Sequence, residues 1–221
     1  DVGLETNTST KSLHSPFNYP ESKLIVPNMK FFPQNKEYHI HESAKIISTY
    51  IKDNKKGIMV LFCSLSAMRQ TLDLLPASQQ NSIIMQGERS KIEIVKAHKK
   101  MIDRGLQSII FGVDSFSEGI DLPGEYLETL IIHKIPFAVP SNPIEQSRND
   151  WLIKQGKNPF IDFSLPIASI RLTQMVGRLI RSESDKGQVI ILDKRLFAKK
   201  YGQNLLDNLP EFKVKIETNH G

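Results

Sequence analysis

The segment Gly57-Ile58-Met59-Val60-Leu61-Phe62-Cys63-Ser64 decides the fold class of this chain. It places six consecutive apolar residues between a glycine and a serine. A short run that is apolar at every position is typical of a strand buried on both faces of a parallel sheet. Residues 64–75 then follow a helical pattern that stops at Pro76. A buried strand followed directly by a helix predicts an α/β fold.

The same alternation of strand and helix patterns extends through most of the chain. Further apolar runs predict an edge strand at residues 23–27 and more strands at 82–85, 107–112, 127–133 and 188–193. Residues 42–54 carry apolar side chains at helical spacing, namely Ala44, Ile47 and Ile51. We therefore predict a mainly parallel sheet flanked by helices, which binds its ligands at the carboxyl ends of the strands.

A further helix is predicted from residue 90 onward. Ser90 and Glu93 have the spacing of a capping box, and Gly105 is a natural stop at the other end. The predicted inner face consists of Ile94, Ala97 and Met101. The predicted solvent face consists of Lys91, Lys96, Lys99 and Lys100.

The chain divides into one domain and two irregular ends. Residues 1–22 are rich in polar residues and proline and predict an irregular segment, residues 23–213 predict the α/β domain, and residues 214–221 predict a tail. Within the domain, residues 136–166 contain five of the twelve prolines and predict an insertion anchored by Trp151.

Composition limits the classes of protein that need to be considered. The 221 residues suffice for one well-cored domain, and no apolar window approaches the length of a membrane span. Because Cys63 is the single cysteine, an intramolecular disulfide and a cysteine-built metal site are excluded, and we interpret it as a core residue. The net charge of +5 is compatible with a polyanionic partner.

Residues 172–181, L-T-Q-M-V-G-R-L-I-R, are a candidate anion-binding segment. If the whole segment is helical, its apolar residues form one buried stripe, and Gln174, Arg178 and Arg181 share a stripe on the other side. Arginine suits an anion with several oxygens because its fork stays charged and binds phosphate oxygens in pairs. The alternative is an ordinary solvent-exposed helix face.

The loop that follows the strand at 107–112 is a second candidate. Glu118 and Asp121 could hold a ribose hydroxyl, a magnesium-bound water or a neighbouring arginine, and Gly119 permits a positive φ or close backbone approach. The alternative is a polar turn whose acids cap a helix.

Together these segments resemble the second motor lobe of superfamily-two helicases of the DinG/XPD branch. Residues 117–121, S-E-G-I-D, are similar to motif five, and residues 174–181 are similar to motif six. Further similarities lie at 62–64 (motif four), at 85–87 (the next strand end), and at 15–17 and 193–196 (the bacterial DinG pattern). The resemblance covers roughly residues 13–213 and implies a RecA-like lobe.

The resemblance assigns roles in ATP hydrolysis to both candidate segments. Arg178 and Arg181 would face the γ-phosphate of ATP held by another lobe, where arginine charge stabilises the transition state of phosphoryl transfer. Gln174 would hydrogen-bond the phosphate or the attacking water. The residues that would couple the nucleotide to the DNA track are Glu118, Gly119 and Asp121.

The resemblance also assigns contacts with single-stranded DNA, and the candidates are Ser64, Gln86, Ser115 and Phe116. A structural alternative stays open for two of them, because Ser64 could cap the next helix and Phe116 could be a core residue. Asp114 stands where the family often has glutamine, which argues against a direct phosphate contact there.

The chain lacks the G-x-x-x-x-G-K-[ST] phosphate loop and the D-E-x-H or D-E-x-D acid cluster. The resemblance therefore implies the C-terminal half of a motor that uses ATP and Mg²⁺, and this half alone is expected to be inactive. No metal ligands are expected here, and an iron–sulfur cluster, where the family has one, lies in the other half. The implied partners are single-stranded DNA and the N-terminal lobe, with no membrane.

The resemblance places the parent protein in the bacterial cytoplasm at the nucleoid, with 5′-to-3′ polarity and a role in DNA repair or replication. Two alternatives remain open. The chain could be a non-catalytic nucleic-acid-binding or partner-docking module, or part of a DinG-like nuclease whose nuclease site lies outside this chain.

Overall fold

The computed structural model describes residues 19–54, 56–138, 143–180 and 185–217, and it confirms the parallel α/β architecture. Seven strands form one sheet in the order β3-β4-β2-β5-β6-β1-β7, and every described pairing is parallel. The strands are β1 Lys23–Pro27, β2 Gly57–Phe62, β3 Ile83–Met85, β4 Ser108–Val113, β5 Thr129–Ile132, β6 Gln188–Ile191 and β7 Lys213–Glu217. All their carboxyl ends therefore meet at one edge of the sheet, here called the carboxyl edge.

Helices cover the sheet and connect its strands. The α-helices are α1 Lys36–Asp53, α2 Leu65–Asp73, α3 Ala77–Gln80, α4 Lys91–Asp103, α5 Pro143–Lys154, α6 Leu165–Val176, α7 Arg195–Ala198 and α8 Lys200–Asp207. Short 3₁₀ turns occur at Tyr19–Glu21, Asp114–Ser117 and Gly124–Tyr126, and a π-helical turn at Phe160–Ser164 precedes α6. None of the helices in the described ranges is long and apolar enough to cross a membrane.

The unbroken apolar run of β2 reflects burial on both faces of the sheet. Met59 and Leu61 belong to the core layer that contains α6, whereas Ile58, Val60 and Phe62 belong to the layer that contains α1 and α2. Each of these five side chains is at most 1% exposed. Because successive residues of a strand point to opposite faces, both layers require apolar side chains from the same strand.

The two termini of the domain differ from the prediction. β1 lies between β6 and β7 and is not an edge strand, because residues 213–217, most of which were assigned to the tail, add a further strand. At the other terminus Tyr19 is buried against Phe212, with 5.1 Å between ring centroids, and the Ser22 hydroxyl accepts a hydrogen bond from the Gly187 amide. The domain therefore begins before residue 23. The similarity noted at residues 15–17 lies outside the described residues.

The helix after Ser90 confirms its predicted caps but not its whole inner face. The Ser90 hydroxyl and the Ser90 backbone amide donate to the Glu93 carboxylate at 2.6 and 3.0 Å, and these two hydrogen bonds lower the pKa of Glu93. The buried positions are Ile94 and His98, whereas Ala97 and the predicted Met101 are half-buried. His98 replaces a hydrophobic residue because both of its ring nitrogens find partners, the Ser108 hydroxyl and the Tyr126 carbonyl.

The proline-rich insertion contains α5 and the π-helical turn. Trp151 does not anchor it, because its side chain is 57% exposed, whereas the neighbouring Leu152 is buried. A second attachment is aromatic: Phe160 lies 5.5 Å from Phe137 and 5.1 Å from Tyr201 of α8. The insertion is therefore held by one leucine and a ring cluster, and its tryptophan faces solvent.

Candidate functional site

The carboxyl edge collects most of the candidate residues. In strand order it presents Gln86 after β3, the loop from Asp114 after β4, and Ser64 after β2. Ser64 and Ser115 are exposed, and Gln86 is half-buried. Parallel strands make this clustering automatic, because neighbouring strands lie only about 4.8 Å apart.

Two of the candidates for DNA contact also have structural duties. The Ser64 hydroxyl accepts a hydrogen bond from the Ala67 amide at 3.2 Å and so caps α2, as the structural alternative predicted. The side-chain oxygen of Gln86 accepts a hydrogen bond from the Val113 backbone amide at 2.8 Å, and the backbone amide of Gln86 donates to the Phe111 carbonyl. Gln86 therefore ties the end of β3 to the end of β4 and fixes the entry to the next loop.

The loop after β4 separates a buried aromatic ring from exposed carboxylates. Phe116 is 4% exposed and belongs to the core, so its structural alternative matches the structure and the ring is covered in this conformation. A β-carbon at Gly112 would lie 2.7 Å from Phe116 Cδ1, so the glycine makes room for the ring. Glu118 and Asp121, in contrast, are both exposed.

Gly119 gives the loop its shape. Its φ of +70° lies in the left-handed region, which residues with a side chain rarely adopt. Because Ile120 on the far side is buried, the chain must turn sharply between exposed Glu118 and the core. The glycine thus keeps both carboxylates on the solvent side while Ile120 anchors the loop.

Lys91 of α4 contacts this loop, a role that the sequence analysis missed. Its Nζ donates to the Glu118 carbonyl at 2.8 Å and lies 5.4 Å from the centre of the Phe116 ring. The side chain stays exposed, as predicted, but it also braces the loop. Helical spacing showed only that Lys91 avoids the core, and it carried no signal for this partner.

The arginine segment is not one continuous helix. α6 ends at Val176, Gly177 follows as its C-terminal cap, and the Arg178 amide donates to the Met175 carbonyl at 3.1 Å in a turn. The predicted helix is therefore too long: α-helical hydrogen bonding ends at Gly177, a residue with low helix propensity, and a turn follows. The buried positions are as predicted, and they are Leu172, Met175, Val176, Leu179 and Ile180.

The polar side of this segment is only partly described. Gln174 is exposed on α6, Arg178 is half-buried in the turn, and Arg181 lies outside the described residues. Arg171 precedes Gln174 by three residues and was not among the candidates. Spacing of i and i+3 places both on one helix face, a signal that could have identified it.

Asp114 connects the two candidate segments electrostatically. Burial raises the pKa of its carboxyl group, the positive charge of Arg171 opposes that rise, and the negative charge of Glu118 adds to it. Phe116 and Ile120 of this loop belong to the same core layer as Leu172 of α6, so the loop and the helix lie on the same face of the sheet. The fold thus assembles the two segments that the sequence separates by some fifty residues.

The remaining strand ends carry buried polar groups. Asp193, after β6, is fully buried and accepts hydrogen bonds from the Ile135 amide at 3.0 Å and from Arg195 Nε at 2.9 Å. His133, after β5, packs against His39 at 4.8 Å and Phe62 at 5.2 Å, so its role is packing. Burial raises the pKa of the Cys63 thiol to about 11, which agrees with a structural role.

Within the described ranges, no three histidine, cysteine, aspartate or glutamate side chains form a group that could hold a metal ion. Exposed polar groups of the two candidate segments are the carboxylates of Glu118 and Asp121, the side-chain amide of Gln174 and the guanidinium of Arg171. Such a set can bind the phosphate and ribose groups of a nucleotide or a nucleic acid.

Comparison with known proteins identifies the family. The model of the helicase C-terminal domain matches residues 47–212, which is most of the chain. This chain belongs to the helicase C-terminal domain family. The matched range contains both candidate segments and every candidate site residue named above.

Curated relatives place the domain within longer proteins. The chain is 41% identical to the ATP-dependent DNA helicase DinG of Photobacterium profundum over 98% of its length, and 39% identical to that of Escherichia coli (strain K12) over 92%. It spans only 32% and 29% of those relatives, respectively. The recognition of a DinG-like helicase C-terminal lobe is thereby confirmed.

Solved structures confirm the RecA-like fold of a helicase lobe. The structure named XPD_APO matches 90% of this chain and 40% of its own, with a TM-score of 0.67 and 19% identity. Domain 2 of the DEAD-box helicase Mss116p, bound to an RNA duplex, matches 90% of this chain and 64% of its own, with a TM-score of 0.51 and 13% identity. At these identities the likeness concerns the fold alone.

Proposed function

We propose that this chain is the C-terminal motor lobe of an ATP-dependent DNA helicase of DinG type that acts in DNA repair or replication in the bacterial cytoplasm. One observation supports the proposal most directly: the loop that carries Glu118 and Asp121 and the helix that carries Arg171 and Gln174 bury their apolar residues, among them Ile120 and Leu172, in the same core layer. ATP bound by an N-terminal lobe of the same protein would meet both segments at once.

In the proposed cycle this lobe supplies charge and the other lobe supplies the phosphate loop and the magnesium ligands. Arg178 and Arg181 approach the γ-phosphate, and Gln174 orients the phosphate or the attacking water. Glu118, Gly119 and Asp121 transmit closure of the lobes to the DNA track. The track begins with Ser64, Gln86 and Ser115 at the carboxyl edge, and Phe116 supports it from below.

Alanine at Arg178 tests the proposed hydrolytic role in the full two-lobe protein. We expect Arg178→Ala to lower DNA-stimulated ATP turnover by about 10³-fold, as loss of an arginine finger does. Affinity for single-stranded DNA should change little, because the lost charge faces the nucleotide. Steady-state phosphate release and oligonucleotide anisotropy measure the two effects.

Arg148 provides a matched control for this experiment. It is an exposed arginine of α5 that pairs with Glu145 at 3.3 Å, and its replacement by alanine removes the same side chain far from Gln174 in sequence. Turnover of Arg148→Ala should stay close to that of the unmodified protein. Turnover within a few-fold of normal for Arg178→Ala, in a protein with an unchanged circular dichroism spectrum, would contradict the arginine-finger role.

The isolated chain should have no ATPase activity. Because it has no phosphate loop, we expect no ATP hydrolysis until the N-terminal lobe is added, and restored DNA-stimulated hydrolysis on mixing. Hydrolysis by the isolated 221-residue chain would refute the assignment of the nucleotide cradle to the other lobe.

A further inference from the structure

A cluster of lysines and aromatic rings lies on the carboxyl edge, outside every residue assigned above. It is formed by the loop after β1, the first turns of α1, and the segment after β6. We call it the lysine–aromatic patch, and its members are Lys30, Phe31, Phe32, Tyr38, Lys194 and Lys199. Tyr38 is 60% exposed, Lys30 and Lys199 are exposed, and both phenylalanines are half-buried.

Direct contacts make the cluster one surface. Lys194 Nζ and Lys199 Nζ lie 4.7 and 5.2 Å from the centre of the Phe32 ring. The Phe31 ring stacks on Tyr38 at 4.9 Å with 24° between their planes. Positive charges and flat rings therefore alternate over a small area, which is the chemistry that binds single strands.

The backbone beneath the patch is held in place. The carboxylate of Glu42 accepts hydrogen bonds from the amides of Lys30 and Phe31 at 2.6 and 3.0 Å. Lys194 Nζ donates to the Lys30 carbonyl at 3.2 Å and links the two loops. The nearby acidic group thus serves the loop itself, and the rings are presented on a fixed frame.

The position of the patch extends the proposed DNA track. β2, which ends at Ser64, is separated from β1 by β5 and β6. Three inter-strand spacings place the ends of β2 and β1 about 14 Å apart along the same edge. A strand of DNA that leaves Ser64 along this edge reaches the patch within a few nucleotides.

The start of α1 adds a favourable dipole. Asn35 occupies its N-cap position without a side-chain hydrogen bond to the first turn, and the Asn35 amide donates to the Phe32 carbonyl at 3.0 Å. The positive end of an 18-residue helix therefore points toward the patch. This end favours a phosphate group in addition to the lysine charges.

We propose that the lysine–aromatic patch is a second contact site for single-stranded DNA, in which Tyr38 stacks on a base and Lys194 and Lys199 neutralise phosphates. The inference rests on the proposed function, because it assumes that DNA runs along the carboxyl edge. It assigns the patch to the part of the strand beyond Ser64.

The salt dependence of DNA binding tests the lysines. The full protein and its Lys194→Ala/Lys199→Ala variant are titrated against labelled oligothymidines of about 6 and about 16 nucleotides, within the range of site sizes known for single-strand binders. Affinity falls as salt rises, so the slope of log affinity against log salt is negative. For the longer strand this slope should be less steep by about 1.4 in the variant, because each lost phosphate contact contributes about 0.7. The shorter strand carries fewer phosphates and cannot cover both sites completely, so its slope should change by no more than that of the longer strand.

A matched control removes the same charge from the opposite edge of the sheet. Lys23 begins β1 and Lys52 lies in the last turn of α1, and both are exposed. Lys23→Ala/Lys52→Ala should leave the slope unchanged. Equal slopes for the patch variant, the control and the unmodified protein on the longer strand would overturn the proposal.

Tyr38→Ala tests the stacking separately from charge. We expect affinity for the longer strand to fall about tenfold with an unchanged salt slope, since stacking is worth that much per base. Normal affinity would overturn the role of the ring. If the unmodified protein binds neither oligothymidine, the proposed function fails together with the patch. If it binds both and the patch variants behave normally, the patch alone fails.

Discussion

The two halves of the carboxyl edge use their polar residues differently. Where β3, β4 and β2 end, Ser115, Glu118 and Asp121 point to solvent. Where β5 and β6 end, His133 and Asp193 are 2% and 0% exposed. We call these the open half and the closed half.

The difference shows how a polar residue at a strand end can be interpreted. In the closed half the carboxylate of Asp193 accepts hydrogen bonds from the Ile135 amide and the Arg195 guanidinium, so removing it destabilises the domain. In the open half the carboxylates of Glu118 and Asp121 face solvent, so they cost the fold little and remain available to a ligand. A functional carboxylate should therefore be nearly neutral for stability, and a structural one should not.

The largest expected effect is the loss of folding stability caused by Asp193→Ala. Asp193→Ala leaves the Arg195 side chain, which is 11% exposed, without its carboxylate, and it deprives the Ile135 amide of its acceptor. Removal of one partner from a buried ion pair costs about 3–5 kcal/mol. Urea unfolding of the isolated chain, followed by circular dichroism, should show a loss of free energy of unfolding in that range. A loss of unfolding free energy below about 1 kcal/mol is what an exposed ion pair contributes. That result would show that Asp193 behaves like the carboxylates of the open half.

The next effect concerns pH and the buried histidines. Burial lowers the pKa of His39, His98 and His133, that of His133 furthest. In the unfolded chain their pKa is about 6.5, so below that pH the unfolded state binds more protons than the folded state. Stability should change little between about pH 7.5 and 8.5 and should fall below about pH 6.5, by up to about 1.4 kcal/mol per pH unit for each histidine.

His133→Phe isolates one of these histidines. Neither ring nitrogen of His133 has a hydrogen-bond partner among the described residues, so a phenyl ring loses no bond there and keeps the stacking with Phe62. Urea midpoints measured from pH 5 to pH 8 should fall less steeply on the acid side in the variant. If the urea midpoints of both proteins fall equally steeply toward acid pH, His133 does not contribute to the acid destabilisation.

The smallest effect on stability is expected in the open half. Asp121→Ala should change the free energy of unfolding by less than about 0.5 kcal/mol, because the side chain is exposed. In the full protein the same variant should lose DNA-stimulated ATP turnover, since we propose that Asp121 couples the nucleotide to DNA. Unfolding and turnover are measured on the same preparation. Marked destabilisation would remove the distinction between the two halves.

The elements that local patterns predicted best are those whose residues satisfy one another nearby. The capping box of Ser90 and Glu93 and the stop at Gly105 require no distant partner, and the structure confirms them. The apolar run of β2 and the buried apolar positions of the arginine segment are also confirmed. They are visible in sequence because a buried position needs an apolar residue whichever element covers it.

The predictions that failed depend on partners far away in sequence. His98 is buried because Ser108 and the Tyr126 carbonyl receive its ring nitrogens, and hydrophobic spacing alone favoured Met101. Residues 214–221 were predicted to form a tail, yet Lys213–Glu217 pairs along β1, a strand almost 200 residues earlier in the chain. The arginine helix was drawn too long because the apolar spacing continues through a turn after Gly177.

By itself the sequence determined the fold class, the order of strands along the chain, and the two segments whose motifs match a helicase C-terminal domain, because periodicity and short motifs are local. Only the tertiary structure decided which polar groups are buried and bonded within the domain and which stay exposed. It buried Asp193 against Arg195, left Asp121 in solvent, and placed Ile120 and Leu172 in one core layer. Burial and charge pairing depend on packing between elements, and packing exists only once the parallel sheet has formed.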